Sequence, residues 1–227
     1  FFSVVSALRG EISRAAILIF IAGILDGLDG RIARLTGTES DFGREFDALA
    51  DVVTFGVTPA LLAYLDLTWG GYGRLAWLVP LLYLVCTATR LARFNVQTRT
   101  IDSRYFVGLP APAAAGSVAA LLLFSHERQI SELVRLPLLL VLLFVGSLMV
   151  STFRYPSFKQ FDLRQRWSYR MALPLTAGLI IVLYDPPTFL LSVAIVYVGW
   201  PPFAWVLERL GLRRRTDSTT VGEKEAV

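Results

Sequence analysis

The chain has 227 residues, 55% of them hydrophobic, and its mean hydropathy is +0.57. This composition excludes an ordinary soluble domain and predicts a helical protein that crosses a membrane. The formal net charge of +4 fits the basic loops of such a protein and requires no nucleic acid as a partner. The single cysteine, Cys86, excludes an intrachain disulfide and a cysteine-rich metal site, and its apolar surroundings indicate a packing residue.

The apolar runs, taken in chain order, predict an all-α polytopic bundle of about eight transmembrane helices. The first is expected to be a remnant at 1–8, because its apolar run is much shorter than the ~20 residues of a span. The others are expected at about 13–35, 43–65, 75–95, 109–125, 136–153, 171–184 and 187–207. Together they form one membrane domain, 1–207, which precedes a charged cytoplasmic tail at 208–227.

The links between these helices carry the polar residues. A glycine-rich loop is expected at 66–74, and a polar turn at 126–135 with the lone His126 as a surface residue. Thr58-Pro59 is expected to bend helix three. The basic and aromatic stretch 154–170 is typical of an interfacial segment.

The distribution of positive charge predicts the orientation. With eight spans, 17 of the 22 Lys and Arg residues fall on one side of the membrane. The other side has only Arg9, Arg14, Arg74, Arg128 and Arg135. By the positive-inside rule, the richer side is cytoplasmic, and it can also hold anionic lipid headgroups. We therefore expect an integral protein of the cytoplasmic (inner) membrane.

Four aspartates stand out on the cytoplasmic side, between two apolar runs: Asp26, Asp29, Asp47 and Asp51. The first two are three residues apart and the last two are four apart, so each pair shares one face of a helix. Carboxylates beside hydrocarbon are costly and usually functional, and Arg31 and Arg34 supply only two compensating charges. A divalent metal is the simplest compensation, because oxygen ligands suit Mg²⁺, Mn²⁺ or Ca²⁺. The alternative is a set of capping and solvated aspartates, and Asp41 after Ser40 is expected to be one.

The spacing matches a longer pattern. Asp26-x-x-Asp29-Gly30-x-x-Ala33-Arg34, eight residues, and Gly43-x-x-x-Asp47-x-x-x-Asp51 fill every fixed position of a known signature. In these residues the chain resembles the CDP-alcohol phosphatidyltransferase family. Members of that family are membrane enzymes that move a phosphatidyl-type group from a CDP-linked lipid to an alcohol and release CMP. Three further strings, at 47–60, 90–95 and 108–112, resemble its phosphatidylserine synthase branch.

The resemblance implies roles for the motif residues. Asp26, Asp29 and Asp47 are expected to hold the metal, while Asp51 also touches it and acts as the general base. The metal is expected to be Mg²⁺ or Mn²⁺, and Ca²⁺ can occupy the same oxygens. The CDP moiety is expected to lie against Asp29, Gly30, Ala33, Arg34 and Gly43, although Arg34 can instead meet lipid phosphate. The resemblance also implies a homodimer.

The branch that the chain resembles narrows the range of possible acceptor alcohols. This resemblance implies CDP-diacylglycerol and L-serine as substrates. Arg90 and Arg93 lie three residues apart at the cytoplasmic end of helix four, where either can grip a carboxylate, and Asn95 can add a hydrogen bond. The competing interpretation anchors both arginines to lipid phosphates.

Two other functions are compatible with parts of this pattern. The first is the same reaction with glycerol 3-phosphate or an inositol phosphate as acceptor, which the basic stretch 154–170 can serve. The second is a cation or proton transporter that uses the carboxylates as its pathway. The transporter hypothesis does not explain the spacing of the glycines and Arg34, and a transporter does not release CMP.

Overall fold

The computed structural model describes residues 1–38, 40–97, 105–156 and 184–209. The helices of these residues are α1 (Phe2–Leu8), α2 (Ile12–Thr36), α3 (Asp41–Asp51), α4 (Thr58–Trp69), α5 (Arg74–Gln97), α6 (Ala111–Glu127), α7 (Ser131–Val150) and α8 (Pro186–Arg209). A π-helical segment, Val52–Val57, joins α3 to α4 without a break. Two short strands, β1 (Tyr105–Val107) and β2 (Arg154–Pro156), form an antiparallel pair.

Four stretches of the described chain are long and apolar enough to cross a membrane: Asp41–Trp69, Arg74–Asn95, Ser131–Val150 and Pro186–Trp205. The 25-residue α2 carries too many charges to count among them, and α6 has only 17 residues. The helix expected at 171–184, apart from its last residue, and the tail beyond 209 lie outside the described residues. The helical membrane architecture is therefore confirmed, while the number of eight spans stays a prediction.

The central helix of the bundle is α6. Its sequence is rich in alanine, and eleven of its 17 residues are buried. Small side chains let α2, α7 and α8 approach it closely. The ring of Phe20 on α2, for example, lies so near Gly116 that an added Cβ atom would be 3.4 Å from it. Because α6 occupies the centre, the outer helices turn their large apolar side chains outwards, as helices facing lipid do.

The π-helical segment has a chemical cause in Pro59. Proline has no N–H, so the carbonyl of Phe55 receives no hydrogen bond from the residue four positions later. The hydroxyl of Tyr83 on α5 donates to that carbonyl instead, at 2.9 Å. Thr58 donates through its hydroxyl to the carbonyl of Val53, also at 2.9 Å. A wider helical turn thus precedes Pro59, and the bend expected at Thr58-Pro59 stays a prediction.

The strand pair fixes the chain beside the end of α7. Gly108 follows β1 with a φ of +79°, and its N–H donates to the carbonyl of Phe153 at 2.8 Å. A Cβ atom at this position would overlap the carbonyl oxygen of Met149. The site therefore requires glycine for two independent reasons, its backbone conformation and its lack of a side chain.

Replacing Gly108 with Ala is expected to lower the free energy of unfolding by about 2 kcal/mol or more, from the left-handed backbone and the overlap together. Gly37→Ala is the matched control, because Gly37 has a φ of +65° but no atom within 4 Å of the added Cβ. It should cost only about 1 kcal/mol. Thermal unfolding of the purified protein in detergent measures both, and equal shifts would contradict the proposed overlap.

A buried ion network lies at the other end of α4, far from the four aspartates. The carboxylate of Asp66 is 2% exposed, and its Oδ1 is 2.9 Å from Nε2 of His126 on α6. Its Oδ2 is 3.7 Å from Nε of Arg135 on α7, and Arg135 also pairs with Glu132. The network therefore joins α4, α6 and α7.

Three expectations need correction at and beside this network. The loop expected at 66–74 begins only after Trp69, and Asp66 is part of α4. His126 is partly buried and paired rather than a surface residue, because the last turn of α6 brings its ring against Asp66. The polar turn is also shorter than expected, since α7 begins at Ser131.

Candidate functional site

Three of the four aspartates come together where α2 meets α3. One carboxylate oxygen from each of Asp26, Asp47 and Asp51 lies within 4.8 Å of the other two. A cation held at 2.0–2.6 Å from such oxygens separates them by about 3–5 Å, so the arrangement fits a divalent metal. Three carboxylates this close repel one another unless a positive charge lies between them. Asp26 and Asp51 are partly buried, which strengthens that requirement.

The fourth aspartate lies apart from this group. Asp29 is exposed and is one turn beyond Asp26 on α2, and it contributes no oxygen to the group of three. Gly30 and Ala33 follow it on the same helix and are partly buried. The main chain of Arg34 is helical, but its side chain lies outside the described part of the chain. Asp29 is thus available to a ligand that approaches α2 from solvent.

Gly43 lies in the first turn of α3. Its N–H donates to the hydroxyl of Ser40, the N-cap residue, at 3.0 Å. A Cβ at Gly43 would lie 3.0 Å from the same hydroxyl, which is tighter than an ordinary contact. Gly43 therefore serves the helix cap as well as leaving room for a ligand. Asp41 occupies the first turn and pairs with Arg44, as expected of a capping residue.

Arg90 on α5 brings a positive charge to the aspartates. The residue is only 7% exposed, and its guanidinium interacts electrostatically with Asp51 of α3. Its Nε is buried and makes no hydrogen bond to the described residues. A buried donor without an acceptor is destabilising, so this atom is suited to an acceptor that a ligand supplies.

Arg93 and Asn95, the two other predicted acceptor residues, have different surroundings. Nη1 of Arg93 donates to the carbonyl of Val150 at 3.5 Å, so this side chain contacts the C-terminal end of α7. Asn95 lines a cavity of about 590 Å³ between α3 and α5. The cavity contacts Glu45, Ala48 and Leu49, which occupy a face of α3 turned away from Asp47 and Asp51. The structure thus separates Arg90 from both residues.

Sequence reasoning missed two tyrosines beside Arg90. Tyr83 lies two turns earlier on α5, and Tyr197 comes from α8; both lie near the guanidinium. Each is a lone tyrosine in an apolar run, and the hydroxyl of such a residue usually has a polar partner. That signal was present in the sequence, but it did not indicate which partner.

The sequence of this chain is similar to the sequences of known proteins. The family model described as CDP-alcohol phosphatidyltransferase matches residues 1–153. A Helicobacter pylori protein named CDP-diacylglycerol–serine O-phosphatidyltransferase is 42% identical over 170 residues, which is 74% of this chain and 70% of the relative. A Methanocaldococcus jannaschii protein of the same name is 33% identical over 195 residues, 86% of each chain. An archaetidylserine synthase from Methanothermobacter thermautotrophicus is 34% identical over 158 residues, 69% of this chain and 64% of the relative.

The match of the family model covers the four motif aspartates, Gly43 and Arg90, and it ends before α8. The apolar helices and this match together identify an integral membrane protein. The predicted resemblance is confirmed: the chain belongs to the CDP-alcohol phosphatidyltransferase family.

Proposed function

We propose that this protein transfers the phosphatidyl group of CDP-diacylglycerol to the hydroxyl of L-serine, giving phosphatidylserine and CMP. The observation that carries the proposal is the convergence of Asp26, Asp47 and Asp51 in a chain of this family. Relatives at 42% and 33% identity are named for this reaction. The archaetidylserine synthase also carries serine in its name, which favours serine as the acceptor.

The metal site is the most specific part of the proposal. Asp26, Asp47 and Asp51 would hold a divalent cation, Mg²⁺ or Mn²⁺, with Asp29 as a further ligand for the cation or its substrate. When bound, the cation neutralises charge on the pyrophosphate of the CDP-lipid. Ca²⁺ can occupy the same oxygens. Family membership also favours a transferase over a transporter as the reason for these carboxylates.

Asp51 is proposed as the general base. The acceptor oxygen forms a bond to the lipid-bearing phosphorus, and the bond from that phosphorus to the bridging oxygen breaks, so CMP leaves. The proton of the acceptor hydroxyl passes to the carboxylate of Asp51. Asp51 suits this step because it is partly buried and lies beside both the other carboxylates and Arg90.

The CDP moiety is proposed to lie along the exposed face of α2 and the start of α3. Asp29, Gly30, Ala33, Arg34 and Gly43 line this path. The open space around Gly27, where an added Cβ would meet nothing within 4 Å, supports close approach of a bulky ligand.

Arg90 is the proposed binding residue for the serine carboxylate. Its buried Nε without an acceptor and its proximity to Asp51 favour it over Arg93, which contacts the end of α7. A guanidinium can grip a carboxylate through two parallel hydrogen bonds. Asn95 lies five residues further along α5 and lines the cavity beside α3, and it stays a candidate for an additional contact.

The proposal also covers the domain organisation, the membrane orientation and the oligomeric state. Residues 1–207 form the membrane domain and 208–227 a cytoplasmic tail, with the active site on the cytoplasmic side of the inner membrane. A homodimer is proposed from family membership.

Release of CMP by the purified protein tests the reaction and the acceptor. The full chain in detergent receives CDP-diacylglycerol with Mn²⁺ or Mg²⁺, and L-serine, glycerol 3-phosphate, inositol phosphate or no acceptor. We expect release only with serine, and its loss on chelation of the metal. Release with a phosphorylated acceptor alone would keep the family but overturn the serine assignment. No release with any acceptor would overturn the proposed function.

A further inference from the structure

The π-helical segment begins directly after Asp51 and lies between the aspartates of α3 and the well-packed helix α4. A turn of this kind closes on the fifth residue rather than the fourth, so it contains one residue more than an α-helical turn. Each residue of a helix turns the chain by about 100°, so the extra residue changes the angle between side chains before and after it. The segment therefore determines which way Asp47 and Asp51 point relative to the buried side chains of α4.

One side chain of this segment, Phe55, packs against α2 beside the aspartates. Its ring is buried, and a Cβ atom added at Gly23 would lie 3.6 Å from it. Gly23 lies three residues before Asp26 on α2, and Phe55 lies four residues after Asp51. The contact is thus about one helical turn from a proposed metal ligand on each side, and it sets how closely α2 and α3 approach.

The backbone of Phe55 is held from α5. The fully buried side chain of Tyr83 donates its hydroxyl to the Phe55 carbonyl at 2.9 Å. The next residue, Gly56, lies so close to α5 that an added Cβ atom would be 2.9 Å from Cδ1 of Leu84. Because Pro59 supplies no N–H to the Phe55 carbonyl, the phenol provides a hydrogen bond that the α-helical pattern cannot make here. Tyr83 thus links α5 to the turn that directs the aspartates.

The group of three carboxylates needs such support from the surrounding helices. The carboxylates repel one another when no cation lies between them, so they stay together only if the backbone holds them. Metal binding is strongest where this arrangement exists before the metal arrives, because the metal then does not have to reorganise the helices.

We propose that Tyr83 and Phe55 are positioning residues of the metal site. Tyr83 maintains the π-helical turn by holding the Phe55 carbonyl, and the Phe55 ring sets the spacing of α2 and α3 at which Asp26 meets the aspartates of α3. Neither residue is a ligand of the metal. The inference rests on the proposed function for the identity of the site, and it assigns the geometry of that site to a buried hydrogen bond outside the aspartate motif.

The variant Tyr83→Phe tests this, because it keeps the ring and removes the hydroxyl. We expect the dissociation constant for Mn²⁺, measured on the full chain in detergent from the EPR signal of the free ion, to rise by about fivefold or more. The reason is that metal binding must then restore a turn whose carbonyl has lost its donor.

The matched control is Tyr155→Phe. Tyr155 is also fully buried, and its hydroxyl also donates to a backbone carbonyl, that of Val198 on α8, at 3.3 Å. The midpoint of thermal unfolding without metal should fall in both variants, because each loses a buried hydrogen bond. The Mn²⁺ dissociation constant should change less than about twofold in the control.

Substitutions at Gly23 test the helix spacing independently of Tyr83. Gly23→Ala adds a Cβ atom at an ordinary contact distance from the Phe55 ring, so the Mn²⁺ dissociation constant should change less than about twofold. Gly23→Leu adds a side chain that competes with the ring for the same space and pushes α2 away, so the constant should rise by about tenfold or more. Leucine is a good helix former, so α2 should stay helical.

An unchanged Mn²⁺ dissociation constant in Tyr83→Phe or in Gly23→Leu, or an equal rise in Tyr155→Phe, would overturn the inference. Serine-dependent CMP release by the same samples separates it from the proposed function. A wild-type protein that binds Mn²⁺ with this dependence on Tyr83 but releases no CMP would overturn the proposed function and leave the inference standing. A wild-type protein that binds no Mn²⁺ would overturn the inference together with the metal site.

Discussion

Replacing Asp51 with Asn is expected to lower the rate of serine-dependent CMP release by a factor of about 10²–10⁴, the usual contribution of a general base. Asparagine has nearly the same volume, but it accepts no proton at neutral pH. Asp51 is partly buried beside Asp26 and Asp47, and its carboxylate interacts with the Arg90 guanidinium. Steady-state CMP release by the purified variant, at saturating substrates, measures the loss.

The dependence of activity on metal concentration distinguishes the loss of a general base from the loss of a metal ligand. A variant that has only lost a ligand regains much of its activity when Mn²⁺ is raised, because more metal compensates for weaker binding. We expect this partial recovery for Asp47→Asn and none in kcat for Asp51→Asn. Recovery of Asp51→Asn to near the wild-type rate would contradict its assignment as the base.

The control for both variants is Asp41→Asn. Asp41 lies on the same helix, but its side chain is 91% exposed and pairs only with Arg44 among the described residues. Removing its charge should change CMP release less than about twofold, because an exposed ion pair contributes little. A large loss in this control would indicate that any charge change on α3 disturbs the site.

Replacing Asp66 with Ala is expected to destabilise the protein by about 3–5 kcal/mol, the usual effect of removing one partner from a buried ion pair. The change leaves Arg135, which is 6% exposed, without its buried counter-ion, and it removes the partner of His126. The midpoint of thermal unfolding in detergent should fall by about 6–20 °C, since 1 kcal/mol corresponds to about 2–4 °C for a chain of this size.

Two comparisons test this expectation. Glu11→Gln breaks an ion pair whose side chains are 40% and 70% exposed, so it should cost less than about 1 kcal/mol. The second comparison is activity at low temperature. Asp66 lies about 22 Å from Asp51 along the continuous helix, so the folded fraction of Asp66→Ala should retain its rate of CMP release. A small shift in the midpoint would mean that water or lipid already compensates the network.

Much of the site follows from local spacing along the chain. Asp47 and Asp51 are four residues apart, and any α-helix places such side chains on one face. The Pro59 distortion, the Ser40 cap and the small residues of α6 likewise depend on short-range chemistry. The positions of α2, α5 and α8 could also be predicted to within a few residues, because their apolar runs are long.

Spacing along the chain does not determine which member of a pair of residues three apart enters a site. Asp26 and Asp29 were expected to act together, as were Arg90 and Arg93. In the structure, Asp26 joins the group of three while Asp29 is exposed, and Arg90 is buried near Asp51 while Arg93 contacts α7. Side chains at this spacing point about 60° apart, so the neighbouring helix decides which one enters a site.

Contacts between distant helices were beyond the reach of the sequence. The pairing of Asp66 with His126 spans 60 residues, and Tyr155 contacts the carbonyl of Val198 across 43. Periodicity within one helix carries no information on which helix lies opposite, or on the height at which two side chains meet. The type and spacing of the clustered carboxylates were therefore determined by the chain itself. Which charged groups share a buried space was decided only by the packing of the helices, of α2, α3 and α5 around Arg90 and of α4, α6 and α7 around Asp66.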